Sequence, residues 1–303
     1  MQYSKPSLSF EEQADQMLRR GFMAPREELI QLLQRVGYYR LSGFLFPFRN
    51  SDDTYQSGVD LNLLISLHGF DRDFRLLIFD ALERVEISVR AQCIQSFSQR
   101  FGAFGYIERS NFSPYEHKNF RVKHENWLTS LRTEVQRSEE IFIKHFNATY
   151  GDYHPMPPIW MAAEVMSMGR LLDFFRLCRY EVQQDVAIFF GMPTEVIESW
   201  LVTLNHVRNL CAHHQRLWNR KINYLPKLPS RHKNPDWFTC GPYTNEHLFA
   251  IVLILRYLLK RCAPDSDWAS RLESLMDRYP PISLKYLGFP VDWKKNPIWA
   301  RPA

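Results

Sequence analysis

The chain has 303 residues, 45% of them hydrophobic and 15% aromatic, which is enough apolar material for a large core and excludes a disordered protein. Its 38 basic and 33 acidic residues give a net charge of +5, which is compatible with a polyanionic partner but too small to indicate one. The 5 cysteines are widely spaced and include no C-x2-C pair, so the sequence predicts neither a disulfide framework nor a zinc ribbon.

The N-terminal part of the sequence predicts a small helical unit over residues 1–58. Ser9 followed by acidic residues predicts a first helix that ends near Arg20, and a second helix is predicted over residues 26–34. The polar, turn-rich residues 51–58 predict the boundary between this unit and the main body.

Aromatic residues stand between two glycines in the segment 37–43 of this unit. One interpretation is a turn in which the glycines flank buried tyrosines. The other is a nucleic-acid surface, on which Tyr38 and Tyr39 stack against bases while Arg40 contacts phosphate. The sequence leaves both interpretations open.

The main body is predicted over residues 59–279, followed by an extended tail over residues 280–303. Apolar residues at helical spacing predict its helices, with the second segment forming one helix or a pair: 60–100, 114–150, 159–179, 194–219, 244–261 and 265–279. Because strand-like alternation is hardly visible, the predicted fold class is all-α.

The sequence also predicts where the protein resides. Its first residues lack an apolar signal core, and no stretch approaches the ~18 consecutive apolar residues of a membrane span. We therefore expect a cytoplasmic protein with no membrane partner.

The helix predicted over residues 194–219 carries an unusual polar face. Amide, imidazole and guanidinium groups project from it at helical spacing: Asn205, His206, Asn209, His213 and Arg216. Arg208 lies beside this face, and its long side chain can swing toward His213. The sequence therefore predicts that an arginine and a histidine act together here.

These groups suit metal-independent cleavage of RNA. Histidine, with a reference pKa of ~6.5, can take the proton of a ribose 2′-hydroxyl or protonate the leaving oxygen, so we expect His213 to act as acid or base. We expect Arg208 to bind the phosphate and its transition state, and Asn209 to position it. His214, Arg216 and His206 are possible supporting groups. Since one helix offers too few groups, we expect two copies to complete the site in a homodimer.

The same residues carry a resemblance. Arg208 and His213 match the R-x4-6-H signature of the HEPN superfamily, and RNLCAHHQRLWN over residues 208–219 resembles the Abi-like family of bacterial abortive-infection proteins. Three further segments resemble that family in the same order: GYYRLSGFLFPF over 37–48, ALERVEISVR over 81–90 and PPIWMAAEVMSMGR over 157–170.

This resemblance implies a HEPN-like helical bundle that acts in phage defence as a metal-independent endoribonuclease, with RNA as substrate and no cofactor. The alternatives are a non-cleaving module that holds a structured non-coding RNA, and a protein-binding defence regulator.

Acidic residues of the helix over 60–100 are candidates for support of this site. Glu83 and Glu86 lie among its apolar positions, and Glu86 precedes Arg90 by four residues, an arrangement typical of a solvated helix edge. The alternative is that one of these carboxylates orients Arg208 or His213.

The long connection over residues 221–243 is rich in proline and predicts a loop that borders an RNA groove. Lys221, Lys227 and Arg231 are its candidate RNA-binding residues.

A metal site formed by His206, Cys211, His213 and His214 is the less favoured alternative. His213 and His214 would point about 100 degrees apart on a helix, and Cys211 belongs to the apolar stripe. We therefore expect no metal.

Overall fold

The computed structural model describes residues 2, 4, 6–114 and 123–300. Within these residues the backbone forms 12 α-helices and no strand, so the all-α prediction is confirmed. In chain order the helices are α1 (Phe10–Arg19), α2 (Arg26–Val36), α3 (Tyr38–Leu45), α4 (Leu61–Phe101), α5 (His124–Arg137), α6 (Ile141–Tyr150), α7 (Ile159–Ala162), α8 (Met168–Leu177), α9 (Tyr180–Phe190), α10 (Thr194–Ala212), α11 (Leu248–Cys262) and α12 (Trp268–Arg278).

The N-terminal helices begin as the sequence predicts. Ser9 and Glu12 form a reciprocal capping box at the start of α1: the Glu12 amide donates to Ser9 Oγ at 3.2 Å, and the Ser9 amide donates to Glu12 Oε2 at 2.7 Å. Gly37 separates α2 from α3 with a φ of +88°, which favours glycine. Gly43, however, lies inside α3, so the interpretation of residues 37–43 as a turn is wrong beyond Gly37.

Helix α4 is the scaffold of the fold. It runs for 41 residues and begins at Asp60, whose side chain accepts a hydrogen bond from the Leu63 amide at 2.8 Å. Helices α3, α9, α10, α11 and α12 all pack against it. Because helices pack against α4 on several sides, apolar residues recur along its whole length. The prediction of a helix over residues 60–100 is therefore confirmed.

Two predicted helices are shorter than expected. The helix predicted over residues 159–179 is divided into α7 and α8, because Ser167 caps a new helix by accepting a hydrogen bond from the Arg170 amide at 3.3 Å. The helix predicted over residues 194–219 ends at Ala212, where His213 leaves the helical conformation and His214 takes a positive φ of 55°. The prediction of one helix as far as Asn219 is therefore wrong.

A buried carboxylate on α4 explains where α10 ends. Asp71 is 0% exposed, and its Oδ1 accepts hydrogen bonds from the amides of Leu217 at 2.8 Å and Trp218 at 2.7 Å. Its Oδ2 accepts from Arg75 Nε at 3.0 Å. Amides of a continuing helix would be bonded to carbonyls four residues earlier, so these bonds require the chain to leave the helix before Leu217.

The segment after α10 is also held by aromatic packing. Trp218 is fully buried and stacks on Phe48, with ring centroids 6.1 Å apart and planes 11° apart. It also contacts Phe44 on α3 and Tyr286 in the C-terminal tail. The N-terminal helices, the end of α10 and the tail therefore meet at one tryptophan.

The buried apolar side chains of the described residues form one cluster that extends from Ala14 to Trp299. It includes tail residues such as Trp293, which lies in a short 3-10 turn. The predicted boundaries of the main body, at residues 58 and 279, stay predictions. Residues 301–303 of the predicted tail lie outside the described residues.

The described helices were compared with the length and apolar composition that a membrane span needs. In the part of the chain that the structure describes, no single helix has both the length and the apolar composition of a membrane span. Helices α9 and α10 meet this test only when they are taken together, across a bend of 80°.

We expect Asp71→Ala to lower the free energy of unfolding by about 3–5 kcal/mol, because it leaves Arg75 without its buried partner and two amides without an acceptor. Urea denaturation measures this change. As a control, Glu246→Ala breaks the exposed ion pair with Lys221 and should leave the urea midpoint unchanged. An equal effect of both substitutions would contradict the structural role of Asp71.

Candidate functional site

The candidate histidine lies at the C-terminal end of α10. The His213 amide donates a hydrogen bond to the Asn209 carbonyl at 3.0 Å as the last bond of the helix, and both side chains are exposed. Because α10 ends at Ala212, His213 does not continue the stripe that Asn205 and Asn209 form. Its imidazole instead stands at the helix end, where a large ligand or a second protein copy can reach it.

Arg208 lies half-buried between α10 and α4. Its Nη1 donates to Asn209 Oδ1 at 3.5 Å, and its Nε is buried and has no hydrogen-bond partner among the described residues. None of the described carboxylates lies within 4.0 Å of the guanidinium. Because Nη1 makes only this long hydrogen bond, the Nη groups of Arg208 keep donors that a phosphate could use, whereas the buried Nε does not face solvent.

Glu86 on α4 is an electrostatic neighbour of Arg208. Burial raises the pKa of Glu86, whereas the positive charges of Arg90 and Arg208 act in the opposite direction. Arg90 is the direct partner, because its Nη2 donates to Glu86 Oε1 at 2.9 Å. The same arginine donates to the Met166 carbonyl at 2.9 Å, so the pair is fixed between α4 and the turn before α8.

Glu83 contributes a second negative charge to this cluster. It is exposed, and its charge adds to the effect of burial in raising the pKa of Glu86. The structure thus places Glu86 near Arg208. Its role in orienting Arg208 stays a prediction.

A polar groove of about 450 Å³ opens between α8 and α10. Its polar lining includes Arg170, Asp173, Asn205, His206, Asn209 and Tyr224. His206 packs edge-on against Tyr224 at 5.0 Å between ring centroids, and burial together with the charge of Arg220 lowers its pKa. Burial also raises the pKa of Asp173, against the charges of Arg170 and Arg176. The structure therefore brings Asn209 and His206 together, but it places His213 outside this lining.

His214 and Arg216 line a different groove, of about 610 Å³, which we call the arginine groove. Its charged and aromatic lining comprises Tyr39, Arg40, Phe46, Arg49, His214, Arg216 and Arg220. Arg40 Nη1 donates to the His214 carbonyl at 2.8 Å, and Arg216 Nη1 donates to the Gly43 carbonyl. Two predicted RNA-binding residues, Tyr39 and Arg40, therefore lie beside the segment that follows α10.

The other predicted RNA-binding residues lie elsewhere. Tyr38 accepts a hydrogen bond from Arg20 Nη1 at 3.4 Å and lines a neighbouring cavity. Lys221 pairs with Glu246 at 2.9 Å, and the guanidinium of Arg231 lies 4.6 Å from the centroid of the Phe238 ring. Neither these residues nor Lys227 line the arginine groove. The predicted loop over residues 221–243 thus does not border that groove.

The residues of the less favoured metal site, His206, Cys211, His213 and His214, do not form a group that could hold a metal ion among the described residues. Cys211 is buried, and burial raises its pKa to about 12. Among the residues that the structure describes, no three His, Cys, Asp or Glu side chains are grouped so that they could hold a metal ion.

Four residues that shape this site are not among those predicted from the sequence: Asp71, Arg75, Arg49 and Arg220. Asp71 and Arg75 were recognisable as an i, i+4 pair of charges within the apolar stripe of α4, where a charge needs a buried partner. Arg49 and Arg220 carried no such signal, because only the folding of α3 against the segment after α10 brings them together.

The proximity of Arg208 to Glu86 predicts a measurable titration change. Arg208→Ala removes a positive charge that stabilises the Glu86 carboxylate, so the pKa of Glu86 should rise above its wild-type value. NMR titration of the side-chain carboxyl carbons measures it. Arg84→Ala, which breaks a pair with Asp80 on the same helix, should leave that pKa unchanged. If Arg208→Ala also leaves it unchanged, the guanidinium is directed away from Glu86.

Comparison with known proteins gives one positive result. The family model described as Abi-like protein matches residues 31–219, more than half of the chain and the part that contains α3, α4, α8 and α10. Searches of curated proteins and of solved structures return no match. The match supports a role in phage defence through abortive infection. The chain belongs to the Abi-like protein family.

Proposed function

We propose that the protein acts in the cytoplasm as a metal-independent endoribonuclease of the HEPN type, in the service of abortive infection. The observation that supports this most directly is the end of α10. An exposed imidazole and a half-buried guanidinium lie there within six residues of sequence, and the described part of the chain offers that guanidinium no carboxylate within 4.0 Å. A cation in such a place is available to a phosphate.

The proposed reaction is an internal transesterification of RNA. His213 takes the proton of a ribose 2′-hydroxyl, or donates a proton to the departing 5′-oxygen. A bond forms from the 2′-oxygen to phosphorus while the bond from phosphorus to the 5′-oxygen breaks, which leaves a 2′,3′-cyclic phosphate and a 5′-hydroxyl. Arg208 stabilises the extra negative charge of the phosphorane, and Asn209 positions the phosphate.

A second copy of the chain supplies the group that one copy lacks. Acid and base must flank the same phosphate, and each copy contributes only His213 to the proposed reaction, because His206 packs against Tyr224 and His214 lines the arginine groove. In a symmetric homodimer the two His213 side chains would take the two roles.

The second candidate function is RNA binding without cleavage, in which the protein holds a structured non-coding RNA. The arginine groove favours it, since this groove offers positive charge and exposed aromatic rings that lie outside the proposed catalytic group.

Incubation of the protein with RNA in EDTA tests the proposal. We expect cleavage with 2′,3′-cyclic phosphate ends, and losses of about 100- to 10,000-fold in folded Arg208→Ala and His213→Ala variants. His145→Ala is the control, because His145 is also an exposed histidine but lies in the middle of another helix, α6. Tight RNA retention without cleavage would support the binding function instead, and full activity of His213→Ala would remove this residue from the mechanism.

Differently tagged subunits test the composite site. A purified dimer with one wild-type and one His213→Ala subunit should retain far less than half of the wild-type rate, since both imidazoles act on one phosphate. Half of the wild-type rate would show that each subunit cleaves independently.

A further inference from the structure

We propose that the arginine groove binds the phosphate backbone of single-stranded RNA and leads the strand to His213. This inference rests on the proposed function in taking RNA as the ligand, but it concerns a surface that is separate from the proposed catalytic group.

The charge of the groove points to a polyanion. Its lining contains four arginines and a histidine but no carboxylate. Within the described residues, Arg40, Arg216 and Arg220 have no carboxylate at ion-pair distance, and Arg49 pairs only with the half-exposed Asp53, at 3.1 Å. A cleft lined by one sign of charge attracts ligands of the opposite sign, so this concentration of positive charge suits an anionic ligand.

The guanidinium groups are also held in fixed positions. Arg40 Nη1 donates to the His214 carbonyl at 2.8 Å, and Arg220 Nε donates to the Arg216 carbonyl at 2.7 Å. Arg216 Nη1 is bonded to the Gly43 carbonyl, and its guanidinium lies 5.8 Å from the centroid of the Phe44 ring. Each arginine has five N–H donors, so one bond to a carbonyl orients the group and leaves donors for a phosphate.

One of the arginines, Arg216, is in an environment that disfavours its positive charge. Burial lowers the pKa of Arg216, and the charge of Arg220 adds to this effect, while the buried Asp71 opposes it. A phosphate in the groove would supply the negative charge that favours the protonated guanidinium groups.

Exposed aromatic rings indicate that the strand is unpaired. Tyr39 is 92% exposed and Phe46 is 71% exposed, and both line the groove with the arginines. A base can stack on such a ring only when it is free of its partner strand, whereas the bases of a duplex already stack on each other. Phosphate contacts beside stacking rings are the arrangement by which proteins hold single strands.

The groove adjoins a second cavity and also the segment that carries His213. Tyr39, Ser42 and Arg49 also line an adjoining cavity of about 730 Å³ at α1, so the surface is longer than one nucleotide. His214 also lines the groove, and His213 is its neighbour in sequence. A bound strand would therefore pass close to the proposed acid or base.

The test measures binding separately from cleavage. A 2′-O-methyl oligouridylate cannot undergo attack by a 2′-hydroxyl, so its affinity for the full-length protein is measured without cutting. We expect Arg40→Gln/Arg220→Gln to weaken binding at least about 10-fold and to reduce the slope of log Kd against log salt by about 1.4, for two lost phosphate contacts at ~0.7 each. Tyr39→Ala should weaken binding by about 5- to 150-fold through lost stacking.

A matched control removes the same charge elsewhere. Arg132→Gln/Arg137→Gln on α5 replaces two exposed arginines and should leave both affinity and salt slope unchanged. Because glutamine keeps an N–H donor for the carbonyls, we expect the groove variant to fold. Should it not fold, Tyr39→Ala still tests the groove, since that side chain is almost fully exposed.

The outcomes separate the two proposals. Groove-dependent binding by a protein that never cleaves RNA would support this inference and refute the nuclease. Unchanged binding in the Arg40/Arg220 and Tyr39 variants would overturn the inference and leave the cleavage test standing. Displacement of the oligouridylate by polyglutamate, with equal affinity, would also overturn it, because the groove would then suit an acidic protein segment.

Discussion

The hydrogen bonds from the Leu217 and Trp218 amides to Asp71 are the constraint on which the arrangement around α10 depends. They hold the chain outside the helical conformation after Ala212 and bury Trp218 against α3. A buried carboxylate with two amide donors and an arginine partner is stable in one geometry only, because any displacement leaves a charge without solvation. Asp71 on the central helix α4 therefore determines that His213 lies at the end of α10.

This constraint gives the two sides of the helix end different electrostatic environments. On the side of α4, Glu86 and Glu83 provide negative charge near Arg208, and Arg90 fixes Glu86 between two elements. On the side of α3, the arginine groove contains no carboxylate. A negatively charged environment near one guanidinium and a groove lined by arginines thus meet where α10 ends. That separation is the physical basis for assigning chemistry to the first side and strand binding to the second.

Local signals were enough to predict most of the helices, but they predicted neither α3 nor α9, nor the helix end that matters for the site. Ser9 and Asp60 are capping residues, and α4 keeps an apolar stripe over its whole length, so these starts follow from short-range chemistry. No glycine or proline lies between Ala212 and Pro226, and the helix ends at Ala212 because of a residue far away in sequence, Asp71. Exposure of Tyr39 was equally unpredictable, since aromatic residues between glycines suit a buried turn as well as a surface. The residues of the family motif were recognisable from sequence, whereas the groove beside them required the packing of α3 against the chain after α10.

The most direct measurement of the central claim is a crystal structure of the dimer with an RNA strand that carries one 2′-deoxy nucleotide and so cannot be cut there. The account predicts that the phosphate after that nucleotide lies within hydrogen-bond distance of a His213 imidazole and an Arg208 guanidinium, with the second His213 on its other side. A phosphate that lies far from both His213 side chains, or a dimer that places them at opposite ends, would contradict it.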